Sequence, residues 1–131
     1  MKKGTLLNAP LSNVIARMGH GDRLVVSDAG LPIPEQVARI DLAVRPDLPP
    51  FLDVVRTILD EMEVESVIIA EELEEVSPEM YAALMELLGN IPVETITHEQ
   101  FKTETESARA IARTGEFTPY ANVILCAGVV F

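Results

Sequence analysis

A single α/β domain spanning residues 1–131, a three-layer arrangement with a mostly parallel sheet flanked by helices, is the fold this sequence predicts. Three observations carry that expectation. Runs such as Leu24-Val25-Val26 and Val67-Ile68-Ile69-Ala70 are apolar without alternation, as strands covered on both faces are. Segments of helical period separate such runs, and the joints between them are short turns. The chain also lacks any repeat, low-complexity segment or linker, and 131 residues suffice for one core. At 48% hydrophobic but only 5% aromatic, with no Trp, that core must be aliphatic.

Asn8 opens the first helix as N-cap, with Pro10 in its first turn. Leu11, Val14, Ile15 and Met18 then fall at i, i+3, i+4 and i+7, one buried stripe. Gly19 is the expected C-terminal stop. The strand Leu24 to Val26 follows, then the proline-rich turn Leu31-Pro32-Ile33-Pro34 and a short strand around Arg39 to Leu42. Beyond a second proline-stiffened loop, Phe51, Val54, Val55, Ile58, Leu59 and Met62 mark an amphipathic helix of about three turns. Val64 to Ala70 reads as a strand, and Ser77-Pro78 as the N-cap and first residue of a helix ended by Gly89-Asn90. Val93 to Ile96 is a further strand. Thr97-His98-Glu99-Gln100 is a capping box that starts the next helix. Ala108 to Ala112 is an apolar approach to the last strand, Val123 to Leu125.

Charge and cysteine content narrow the function. A net charge of −11 repels phosphates, so nucleic acid and anionic membrane are not expected partners. The lone Cys126 sits in an apolar run, where burial makes it inert, and permits no internal disulfide. Met1-Lys2-Lys3 resembles the start of a signal segment, but Asn8, Pro10, Ser12 and Asn13 interrupt any apolar continuation. A soluble, cytoplasmic protein is therefore expected. The tract Glu71-Glu72-Leu73-Glu74-Glu75 could attract a hard cation, yet adjacent glutamates on a loop diverge, and neither His nor Cys joins them. It reads as a solvated face.

Five positions invite a chemical reading. His20 lies between Gly19 and Gly21 just past a predicted helix end, where the dipole favours an imidazolium. Its bland alternative is an exposed turn residue. Asp28 follows the first strand, at the rim where open parallel sheets bind ligands. His98, in a first helical turn, is biased toward the neutral ring, so two histidines of opposite bias could share acid–base work. It could equally be a helix-start residue with no chemical task. Tyr120 and Asn122 point to one face if the chain is extended after Pro119, and their groups suit hydroxyls. Local turn stabilisation is the alternative. The apolar end Gly128-Val129-Val130-Phe131 requires cover, from the core or from another subunit.

These pieces together resemble the D-ribose pyranase and fucose mutarotase family, and more closely its ribose branch. The matching segments are Gly19-His20, Asp28-Ala29-Gly30-Leu31-Pro32, Thr97-His98-Glu99 with Phe101-Lys102, and Arg113-Thr114-Gly115-Glu116-Phe117-Thr118-Pro119-Tyr120-Ala121-Asn122. Ser27 stands where a small apolar residue is expected, and the acidic stretch from Asp60 to Glu79 carries no family signature. The resemblance implies a cytoplasmic mutarotase that interconverts pyranose and furanose D-ribose and helps supply ribokinase. It implies His20 as the acid–base residue, and Asp28, His98, Lys102, Tyr120, Ala121 and Asn122 as sugar-binding positions. No metal, nucleotide or organic cofactor is implied. A ring-shaped homo-oligomer with sites at subunit contacts is, a decamer being one candidate size. Two alternatives remain: a sugar-binding or regulatory module without turnover, and a mutarotase for another aldose such as fucose.

Overall fold

In the computed structural model, which describes residues 1–131, six strands form one sheet in the order β2-β5-β1-β6-β3-β4. The strands are β1 (Arg23–Ser27), β2 (Ala38–Asp41), β3 (Val64–Ala70), β4 (Val93–Ile96), β5 (Ala110–Arg113) and β6 (Val123–Ala127). The pairs β2–β5, β5–β1 and β3–β4 are parallel, whereas β6 runs antiparallel to both β1 and β3. Five strands therefore share one direction. The C-terminal ends of those five and the beginning of β6 make one rim of the sheet; their N-terminal ends and the end of β6 make the other.

The uninterrupted apolar strands are explained by cover on both faces. Leu24 and Val26 of β1, Val67 and Ile69 of β3, and Val123 and Leu125 of β6 enter the larger core cluster. That face is covered by α1 (Ala9–Ala16), α2 (Phe51–Leu59), α3 (Glu72–Val76) and α4 (Pro78–Leu88) through Leu11, Val55, Ile58, Leu73, Leu84 and Leu88. The alternate residues Val25, Ile68 and Ile124 face a smaller cluster, closed by Leu31, Val37 and Phe101 of α5 (His98–Glu104). The three layers expected are present, and Cys126 is buried in the thinner one.

Several local expectations change. The first helix ends at Ala16 with Arg17 as its C-cap, so Met18 and Gly19 lie beyond it, and the left-handed glycine is Gly21 (φ +81°). Gly19 is held instead by its N–H donating to Asp22 Oδ2 at 2.9 Å. The second helix stops at Leu59, short of Met62. The acidic tract is not a loop: Glu72 to Val76 is α3, anchored by the fully buried Leu73. The approach from Ala108 conceals β5, an interior strand between β2 and β1. Its two alanines lower its β-propensity, and it is marked as a strand by its ladders to β2 and β1, with Ala110 to Ala112 fully buried.

Candidate active site

Asp28 leaves β1 at the C-terminal rim and becomes the centre of a hydrogen-bonded knot. Its Oδ1 accepts from the N–H groups of Gly30 (2.9 Å) and Leu31 (2.8 Å), closing the turn. Asn122, fully buried, engages it twice: the Asp28 N–H donates to Asn122 Oδ1 at 2.9 Å, and Asn122 Nδ2 donates to Asp28 Oδ2 at 3.0 Å. The Asn122 side chain is thus not a local turn stabiliser, because its partner lies in the turn after β1, distant in sequence. A buried carboxamide with both ends engaged is rigid, since leaving either end unpaired would cost about 1–3 kcal/mol.

Tyr120 is not in extended chain, as the period-two reading supposed. Its φ of +63° places it in a turn, with the Asn122 N–H donating to the Tyr120 carbonyl at 2.8 Å. The turn still delivers the ring to the Asp28 knot. His98, which begins α5 after β4, meets that ring edge to face at 5.0 Å between centroids. Its Nδ1 is buried without a hydrogen-bond partner. Thr97 and Gln100 form the capping box as expected. Asp28, Gly30, Leu31, Pro32, His98, Pro119 and Tyr120 line a concavity of about 270 Å³. A second hollow of about 380 Å³ adjoins it, also bounded by Asp28, Gly30 and Pro119, and by Arg113, Glu116 and Phe117.

The segment Arg113–Asn122 owes its shape to tertiary contacts. Arg113 Nε donates to the Ala29 carbonyl at 3.0 Å and its Nη1 pairs with Asp41. A side chain at Gly115 would collide with the backbone carbonyls of Arg45 and Leu48, so only glycine fits. The buried Glu116 carboxylate accepts from the Phe51 N–H (2.9 Å) and from the Thr118 hydroxyl (2.8 Å). It thereby supplies the cap that Pro50 cannot give α2. Ser27, the departure from the family pattern, is fully buried, its hydroxyl donating to the Asp28 carbonyl.

Lys102 and Ala121 stand apart from this group. Lys102 pairs with Glu99 at 2.7 Å, and its hydrogen bond holds the Glu99 carboxyl below the usual carboxylate range. It is not among the lining residues of the concavity. The Ala121 methyl is buried in the larger core, so only its main chain is available to a ligand.

His20 lies on the opposite rim. It sits in the turn between α1 and β1, and its Nε2 meets Glu65 Oε2 at 2.8 Å. Being three residues past the Arg17 C-cap, it lies outside the last helical turn, where a dipole acts strongly. Between it and Asp28 runs the whole of β1, five residues, or about 16 Å at strand rise. One chain does not bring the two onto a single small ligand. Around His20 is a hollow lined by Ile15, Met18, Gly128, Val129, Val130 and Phe131, and the last three are exposed. No group of three or more His, Cys, Asp or Glu side chains is placed to hold a metal ion.

A sheet rim lined by a carboxylate and two rings, the carboxylate held by a buried carboxamide, facing a hollow of this size, defines a small-molecule α/β domain with groups suited to hydroxyls. The chain belongs to the family described as the RbsD / FucU transport protein family, which it matches over residues 1–130. It is 55% identical to the D-ribose pyranase of Coprothermobacter proteolyticus, and the match covers 100% of each chain. It is 57% identical to that of Symbiobacterium thermophilum, again over 100% of both. The structure of Bacillus subtilis RbsD complexed with D-ribose superposes with a TM-score of 0.97 at 46% identity over 100% of both chains. That of the fucose mutarotase of Streptococcus pneumoniae in complex with L-fucose gives 0.82 at 25% identity, over 100% of both.

Proposed function

We propose that this protein is a D-ribose mutarotase, an isomerase that interconverts the pyranose and furanose forms of the sugar. The observation that carries the reading is identity of 55% and 57% to D-ribose pyranases over the full length of both chains. The likeness to a ribose-bound structure at 46% identity, against 25% for the fucose-bound one, favours ribose over fucose as substrate.

Ring interconversion is within reach of these side chains. The C1–O5 bond of the pyranose breaks as a proton leaves the C1 hydroxyl and another is delivered to O5. The open-chain aldehyde then accepts the 4-hydroxyl, its proton departing as the carbonyl oxygen gains one, and the furanose closes. Proton transfer alone suffices, with no covalent intermediate and no electron acceptor. His20 is the acid–base residue in this reading. Asp28, His98 and Tyr120 bind the hydroxyls, Asn122 joins the binding group by holding the Asp28 carboxylate, the Ala121 main chain lies beside them and Lys102 at the margin. The sugar is neutral, so a net charge of −11 does not oppose its binding.

Because His20 and the binding group occupy opposite rims, we infer that each site is shared between two chains. Both halves bear exposed apolar side chains that a neighbour would cover, Phe117 beside Asp28 and Val129 to Phe131 beside His20. A symmetric ring repeats such a contact at every subunit. No helix is long and apolar enough to cross a membrane, and the single buried thiol suits the reducing cytoplasm, where we place the protein.

Saturation-transfer NMR on equilibrated ribose tests the assignment. Added protein should accelerate exchange between pyranose and furanose signals, more for D-ribose than for L-fucose, and exhaustive chelation should leave the rate unchanged. Sugar binding without accelerated exchange would instead identify a binding module.

A further inference from the structure

The segment joining β3 to α4 reaches the sugar-binding rim from beneath and touches it twice. At its start, the Glu72 carboxylate accepts the His98 backbone N–H through both oxygens, at 2.9 and 3.1 Å. At its end, the Ser77 hydroxyl donates to the Pro119 carbonyl at 2.9 Å, on the peptide that leads into Tyr120. Ser77 stands at the N-cap of α4 with Pro78 after it, as expected, but its hydroxyl makes no cap bond to the helix. The segment itself is fixed. Leu73 is fully buried, the Ser77 N–H donates to the Leu73 carbonyl at 2.9 Å, and the Glu71 N–H donates to the Ile96 carbonyl at 2.7 Å.

We propose that Glu72 and Ser77 are positioning residues, a two-ended brace that holds the His98 and Tyr120 rings in their edge-to-face contact and so sets the affinity for the sugar. The proposal rests on the mutarotase reading for its substrate. Physically, His98 begins a helix of only seven residues. The capping box engages the N–H groups of Thr97 and Gln100 but leaves that of His98 to Glu72. Without Glu72 the first turn of α5 loses the partner at the residue whose ring lines the hollow. Tyr120 is held at positive φ, a conformation that a tyrosine keeps only when its surroundings impose it. The Ser77 bond is one of those impositions. Neither residue touches the hollow beside Asp28 directly, so their effect passes through the two rings.

The test compares Glu72→Ala, Glu72→Gln and Ser77→Ala, using exchange rates at several ribose concentrations and ring contacts in the ligand-free protein. Glu72→Ala should raise KM about three- to tenfold, and Ser77→Ala about two- to fivefold, with kcat within about twofold in each. Glu72→Gln should recover most of the affinity, because its amide oxygen still accepts the His98 N–H. The nuclear Overhauser contact between the His98 and Tyr120 rings should weaken in both alanine variants. An unchanged KM in folded Glu72→Ala, a Glu72→Gln variant no better than alanine, or intact ring contacts despite a raised KM would overturn the brace. Should Glu72→Ala not fold, Ser77→Ala and Glu72→Gln decide the matter by the same criteria. Should the unaltered protein fail to exchange ribose, the mutarotase reading falls, and the ring contacts alone judge the brace.

Discussion

The two rims of the sheet treat their polar groups differently. At the C-terminal rim, Asn122 is buried, Asp28 accepts or donates at every hydrogen-bonding atom described, and His98 and Tyr120 lean on each other. At the N-terminal rim, the His20 side chain is 61% exposed and its only side-chain partner, Glu65, is 46% exposed. In the proposed reading, the groups that would bind the sugar are fixed before it arrives, which limits the ordering cost of association. The His20 ring, proposed to transfer the proton, is displayed outward, and the five residues of β1, about 16 Å at strand rise, separate it from its own chain's Asp28. On the proposed reading, recognition belongs to one rim and chemistry to the other.

Removing the chemical half should have the largest effect. His20→Ala is expected to lower the exchange rate by about 10²–10⁴-fold, the usual worth of a positioned acid–base group. Ribose binding, followed by saturation-transfer difference signals, should persist because the opposite rim is untouched. A variant with near-normal exchange would break the division of labour.

Removing the binding half should act differently, through stability as well as affinity. Asn122→Ala strips Asp28 of two partners in a buried setting, and should cost about 1–3 kcal/mol in denaturant unfolding while abolishing sugar binding. Retained affinity at lowered stability would show Asn122 to be structural only.

The same contrast explains what was legible in the sequence. Strands β1, β3 and β6 announce themselves because aliphatic, largely β-branched runs have few other uses in a chain of this size. Strand β5 does not, since Ala110 and Ala112 owe their place to close packing on the larger core rather than to propensity. The residue types of the site are visible in Asp28, His98, Tyr120 and Asn122, but their mutual bonds are not, because Asp28 and Asn122 are distant in sequence. Glu72, Ser77 and Glu116 were beyond reach for the same reason. Each is a polar residue of ordinary appearance whose partner comes from another part of the fold. An acidic tract read as solvated hides a carboxylate bound to the start of α5, and the serine that does stand at the N-cap of α4 turns its hydroxyl to Pro119.

A smaller effect sharpens the picture of the N-terminal rim. Asp22 holds the His20 turn: its carboxyl accepts the Gly19 N–H and pairs with Arg109, and these contacts, the Gly19 bond foremost, lower its pKa from the usual value. A carboxyl depressed in the folded state contributes stability above its unfolded pKa and loses it as pH falls through the folded one. Asp22→Asn should therefore melt slightly below the unaltered protein at neutral pH, and the difference should vanish under strongly acidic conditions. A difference independent of pH would mean that the charge is not what steadies the turn.

The central claim, that a working site joins the His20 rim of one chain to the Asp28 rim of another, is tested most directly by mixing two inactive variants. His20→Ala and Asn122→Ala, unfolded together in equal amounts and reassembled, should regain activity at about one site in four, because intact halves then meet by chance. Mass measurement would verify that the oligomers are mixed. Recovery near that fraction is the predicted result; verified mixed oligomers with no recovered exchange would place each site within one chain and contradict the account.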